Sequence, residues 1–218
     1  MAFGPMDAAN SCIRRSRRFL SLANAALDDT KIKNDLRRTA LVMSVTAVDA
    51  YMHWLVFRRL SEVRYEGDLP KSLSKLNVPF SSLASLADAL IAARHSDRNI
   101  RPWVQVKNAI QRELLKETFQ NYEQIGNALS LAGIERGLSR TATEMGSTAT
   151  EIRERLNRLV HRRNQVVHEG DFVRAHRPRK SKYNKIKHKD VVDDVEWIER
   201  LLQSINNVVE ATRLVPAS

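Results

Sequence analysis

One helix-forming stretch ends in residues that could carry chemistry. In TEIRERLNRLVHRRNQVVHEGDF, residues 150–172, Arg163 and His168 stand five residues apart, with Asn164 beside the arginine. An imidazole exchanges protons near neutral pH. A guanidinium stays charged and offers a planar fork to the oxygens of an anion. Together they suit proton transfer next to an anionic group. At about 100° per residue, Ile152, Leu156, Leu159, Val160, Val166 and Val167 share one arc of this helix, and Arg163 falls near its middle. An arginine there is costly unless it is paired or lines a cleft. Asn157, His161, Asn164, Gln165 and His168 form a separate polar stripe. Neither feature suits a helix that only packs.

A carboxylate is equally out of place. Asp49 sits inside the apolar run 40–57. A buried Asp49 and a buried Arg163 are expected to meet, either as an ion pair that fixes helix packing or with Asp49 positioning the arginine. His161 shares the face of His168. It either adds a second imidazole or is simply one more polar stripe residue.

The elements that must hold these groups read as helices. Thr148 and Glu151 have capping-box spacing, and Gly170 stands where a helix stop belongs, so the motif helix is expected from Thr148 to His168. Residues 8–27 form an expected first helix, with Arg14, Arg15, Arg17 and Arg18 near its start. Residues 31–63 form a long central one, whose stripe Leu36, Ala40, Met43, Ala47, Ala50 and Trp54 steps by four and three. Residues 64–79 read as a connection. Helices are expected over 80–94, from Pro102 past Leu115 with a break near Glu117, and over 118–132. Three glycines make 133–147 a loop. The last helix, 190–213, places Val191, Val195, Ile198, Leu202, Ile205 and Val209 on one bundle face. The expectation is an all-α, single-domain bundle of about six to seven helices over 1–218. Its core is 31–63 and 148–213, with a helical insertion at 64–147 and a basic loop at 171–189.

These helices carry a resemblance. Arg163-Asn164-Gln165-Val166-Val167-His168 resembles the signature of the HEPN superfamily: an arginine, a polar residue, then a histidine four to six residues after the arginine. The longer string ERLNRLVHRRNQVVHEGD is similar to that motif in ribonuclease and toxin branches, and Ala47-Val48-Asp49-Ala50-Tyr51 looks like the early helix that places an acid before an aromatic. The resemblance implies a metal-independent endoribonuclease, a toxin or defence effector, without cofactor. Arg163, Asn164 and His168 would be catalytic, Asp49 and His161 supporting. RNA brings its own nucleophile, the 2′-OH. His168 would move protons, Arg163 would hold phosphate oxygens, and Asn164 would orient phosphate or imidazole. One Arg and one His are few groups for this work, and in an ideal helix they point about 140° apart; the resemblance implies that two copies of the motif face one cleft, so a homodimer with a composite site is expected. An antitoxin or regulatory protein is expected beside RNA and a second copy. The rival readings are a non-catalytic helical module that binds RNA or nucleotide, and a protein-interaction subunit.

Charge points the same way. The 218 residues hold 36 Lys and Arg against 25 Asp and Glu, a net charge of +11. Residues 174–189, RAHRPRKSKYNKIKHK, contain eight of those positive residues and no acid, which leaves 11 − 8 = +3 for the rest. Arg174, Arg177, Arg179, Lys180, Lys182, Tyr183, Lys185, Lys187 and Lys189 are therefore expected to contact the RNA backbone, with Tyr183 available for stacking on a base. The alternative is a solvated or localisation-type tract.

Composition excludes several classes. Seven Gly and six Pro argue against a turn-rich β-sandwich. The single Cys12 rules out an internal disulfide and a Cys-rich zinc site, and makes a reducing cytoplasm the expected location. There is no HExxH, CxxC, GxGxxG before a helix, GxxxxGK[ST] or Ser–His–Asp order. His176 and His188 have no carboxylate or thiol neighbours in sequence that suggest a metal. No apolar region precedes Arg14, so no signal peptide is expected. Asp49 and His53 inside the run 40–57 favour a core helix over a membrane span.

Overall fold

The computed structural model describes residues 3–25, 29–64, 67, 69–77, 79–95, 102–174 and 182–213. Among them nine α-helices follow in order: α1 (Pro5–Ala25), α2 (Thr30–Glu62), α3 (Lys71–Ser74), α4 (Phe80–His95), α5 (Pro102–Leu114), α6 (Tyr122–Leu131), α7 (Gly137–Glu144), α8 (Ala149–Glu169) and α9 (His188–Arg213). The expected all-α class holds, with more helices than the six to seven expected. Among the described residues the only extended pairing is an isolated antiparallel bridge between Phe172 and Tyr183.

Small side chains bring α1 and α2 together. Ala9, Ser16 and Ala23 recur every seven residues on α1 and are fully buried, as are Ala40, Ser44 and Ala47 on α2. With so little side chain between them the backbones approach closely, and Ser16 Oγ donates to the Ala40 carbonyl at 2.7 Å. Asp29 starts α2 by accepting from the N–H groups of Lys31 and Ile32.

Helix α2 is central, as its apolar residues on several faces suggest. It packs against α1, α5, α6, α8 and α9. Its larger buried side chains include Leu41, Val45, Val48, Tyr51, Met52 and Leu55. The expected stripe lies at the edge of this set: Ala40 and Ala47 are buried, Met43 and Ala50 partly so, and Trp54 is exposed. Period alone located the helix but not its rotation. Among the described residues α2 is the one helix long and apolar enough to cross a membrane, and 56% of its most apolar window is buried inside the bundle.

The stretch expected as an insertion contributes unequally. Helix α4 packs mainly on α5, whereas α6 and α7 reach the core through Ile125, Ala128, Leu129 and Ala142. The expected loop 133–147 contains α7. Its buried Thr141 and Ala142 face inward, and Gly137 lies so near Leu129 that a Cβ would come within 2.8 Å of the leucine Cδ1. That glycine is a close-packing residue, not a loop residue. The stripe expected on α9 is buried throughout, from Val191 to Val209.

Candidate active site

Helix α8 begins and ends where its sequence says it should. Thr148 Oγ1 accepts from the Glu151 N–H, and Glu151 Oε2 accepts from the Thr148 N–H. Hydrogen bonds from Ser147 and Thr148 hold the Glu151 carboxyl below its usual value. At the other end Gly170 takes φ +62° and donates to the Gln165 carbonyl.

Between these caps the helix leaves the core. Ile152, Leu156 and Leu159 are buried, Val160 and Val166 are half-buried, and Val167 is 46% exposed. Arg163 therefore sits where the apolar arc opens, half-buried, rather than in the core as expected. One Arg163 terminal nitrogen donates to Asn164 Oδ1 at 3.0 Å and lies 3.4 Å from His168 Nε2. An arginine N–H can only donate, so the second contact suits an imidazole whose proton is on Nδ1. The Arg163 Nε is buried and has no hydrogen-bond partner among the described residues. The side chain thus closes the angular gap that an ideal helix places between Arg163 and His168. His168 itself is exposed. His161 is also exposed, on the same face and about 10 Å back along the axis.

The structure does not bring Asp49 to Arg163. Asp49 accepts from the Phe119 N–H at 2.6 Å and from Gln120 Nε2 at 3.3 Å, with His53 Nε2 at 3.8 Å. It ties the segment between α5 and α6 to α2, which satisfies a carboxylate in an apolar run without any part in the Arg163 cluster.

The buried carboxylate that does gather arginines is Asp171, 1% exposed. Arg38 Nε donates to it at 2.5 Å, and Arg162 grips both its oxygens through two terminal nitrogens. Asn184 Nδ2 adds a bond at 3.0 Å. Burial alone would raise the Asp171 carboxyl. The bonds from Arg162, Arg38 and Asn184, with the Arg162 charge, outweigh burial and hold it below the usual carboxylate range. Asp171 takes φ +58° directly after Gly170, a left-handed conformation that Asp tolerates better than most residues. Sequence reasoning missed this cluster. Its signals were the pairing of Arg162 with Arg163 and the Gly170-Asp171 stop, but Arg38 lies 133 positions away.

The same cluster pins the roots of the basic loop. The Asn184 N–H donates to the Asp171 carbonyl at 2.9 Å, Arg38 donates to the Asn184 carbonyl, and the Val173 N–H donates to the Lys182 carbonyl. Phe172 and Tyr183 stack with centroids 5.0 Å apart, and the Arg38 guanidinium lies 5.2 Å from the Tyr183 ring. Tyr183 therefore already has ring partners within the chain. Arg174 pairs with Glu169 at 2.8 Å. Lys182, Lys185, Lys187 and Lys189 are exposed. Arg177, Arg179 and Lys180 lie outside the described residues. Among the described residues, no three His, Cys, Asp or Glu side chains converge as a metal site.

Arg163 thus links Asn164 and an exposed His168 at the end of α8. The RiboL-PSP-HEPN family model matches residues 10–211. The chain belongs to this family. The match runs from α1 into the end of α9, so the HEPN domain includes α1 and α3–α7 as well as the helices that carried the resemblance. Family membership supports a role directed at RNA or nucleotides. No curated protein and no solved structure matches the chain.

Proposed function

We propose that this HEPN domain is a metal-independent endoribonuclease. The observation that carries the reading is the joined Arg163–Asn164–His168 cluster on the exposed end of α8, next to the pinned roots of a basic loop. In the reaction the RNA 2′-oxygen forms a bond to phosphorus and its proton passes to an imidazole. The P–O5′ bond breaks, and the 5′-oxygen takes a proton from an imidazolium. The products are a 2′,3′-cyclic phosphate and a 5′-OH. Arg163 meets the charge on the non-bridging oxygens, where a guanidinium fork is strongest. Asn164 holds the guanidinium in place.

One imidazole in contact with Arg163 is few for two proton transfers. The reading therefore includes a homodimer in which two α8 ends face one cleft, each supplying a His168. His161, two turns back on the same face, is the other candidate imidazole. Lys182, Lys185, Lys187, Lys189 and Arg174, with Arg177, Arg179 and Lys180, hold the strand by its phosphates. A cell that makes such an enzyme must restrain it, which fits a toxin or defence effector with an antitoxin or regulatory partner.

The test is incubation of the purified chain with total RNA in EDTA, beside His168→Ala and Arg163→Ala. The expected result is cleavage by the wild type, lost in both variants, with cyclic phosphate ends. Cleavage that persists in both variants removes the site. RNA binding without cleavage leaves a non-catalytic module, and no binding at low salt leaves a protein-interaction subunit.

A further inference from the structure

A second feature of α8 lies on the side away from its polar stripe. A groove of about 400 Å³ runs between α8, the segment 185–187 and the start of α9. Its volume falls in the range of small-molecule sites. Its base is apolar: Leu41, Leu159 and Val191 are buried there and Ile186 is half-buried. Its walls are charged with both signs.

Some of those charges are already engaged. Arg155 lies over the Trp197 ring at 4.9 Å and donates to the Asp193 carbonyl and to Asp194 Oδ1. Arg162 is held by Asp171. Arg158 is 66% exposed and only 3.7 Å from Asp194 Oδ1. Lys185 and Lys187 are exposed and form no ion pair among the described residues, and Asp190 and Asp193 are likewise exposed without one. The groove thus offers two cations and two carboxylates without an ion pair among the described residues, a third cation, Arg158, in a long and exposed pair, and an apolar floor. A simple anion would meet the carboxylates. A nucleotide matches all three surfaces: phosphate for the cations, a flat ring for the floor, ring N–H donors for the carboxylates.

We infer that this groove is a nucleotide subsite for single-stranded RNA. It takes one phosphate on Lys187 and Arg158 and lays the attached base on Leu159 and Ile186. Arg158 precedes His168 by about 15 Å along the helix, so the bound nucleotide lies within a few nucleotides of the reacting bond. This inference rests on the RNA-directed reading above, but not on cleavage.

The test is fluorescence anisotropy with labelled 2′-O-methyl pentaribonucleotides, which lack the nucleophile and stay intact. Lys187→Ala and Arg158→Ala are each expected to weaken binding about tenfold and to lower its salt dependence. The control Lys116→Ala, an exposed cation paired with Glu113, is expected to leave binding unchanged. An abasic oligomer of equal length is expected to bind more weakly than the pentamer. Circular dichroism confirms that each variant is folded. The subsite is overturned if the wild type does not bind the pentamer, if both groove variants bind normally, if Lys116→Ala loses as much, or if the abasic oligomer binds equally well. A wild type that binds through Lys187 but cuts no RNA supports the groove and removes only the nuclease reading.

Discussion

Arg162 and Arg163 are neighbours in sequence with opposite surroundings. Arg162 grips both oxygens of a carboxylate that is 1% exposed, and that carboxylate also takes Arg38 and Asn184. Arg163 meets a neutral amide and the edge of an imidazole, and its Nε has no hydrogen-bond partner among the described residues. An arginine whose charge is matched within the fold holds structure. One left unmatched beside an exposed histidine keeps its charge for something that arrives from outside. The contrast separates a structural clasp from a reactive end within one turn of α8.

The sharpest way to break this comparison is to remove each side in turn. His168→Ala is expected to lower RNA cleavage about 10²–10⁴-fold, the range for a lost proton-transfer group, and Arg163→Ala about 10²–10³-fold, the range for a lost charge-stabilising donor. Neither should move the unfolding midpoint by more than about 1 kcal/mol equivalent. Asp171→Ala is expected to do the reverse first. Removing one partner of a buried ion pair costs about 3–5 kcal/mol, read as a large drop in the denaturant midpoint. A variant that lost cleavage at wild-type stability would move Asp171 from the clasp to the reaction.

Acid probes the same clasp. The Asp171 carboxyl titrates lower in the folded chain than in the unfolded one. Its contribution is therefore present above the unfolded value of about 3.9 and is lost as pH falls through the folded value. Stability measured against pH should fall below about pH 4, and Asp171→Asn should flatten that fall. The smallest effect belongs to Asp49. Asp49→Ala is expected to cost about 1–3 kcal/mol by leaving the Phe119 N–H unsatisfied, with cleavage by the folded fraction unchanged. Loss of activity at full stability would restore Asp49 to the site.

Features that depend on neighbours in sequence were legible before any fold. The α8 caps at Thr148, Glu151 and Gly170, the buried face of α9 and the polar stripe holding His168 all come from spacing within one helix. The missed features are of another kind. Helix α7 hid behind three glycines, because Gly137 is there for close packing against Leu129 and not for a turn. The stripe chosen on α2 holds the fully buried Ala40 and Ala47 but not large core residues such as Tyr51 and Met52, since a helix surrounded on several sides has more than one apolar arc. Asp49 drew attention as a carboxylate among apolar residues, yet backbone and amide donors satisfy it.

The sequence by itself determined the helical class, the family-bearing end of α8 and the concentration of positive charge in residues 174–189. Periodicity, caps and charge runs are local, so they survive without knowledge of the fold. Only the tertiary structure decided which carboxylate meets which arginine. Asp171 finds Arg38 across 133 positions, and that contact pins both roots of the basic loop beside His168. An ion pair between distant segments is set by how helices pack, and helix packing is not written in the spacing of any one of them.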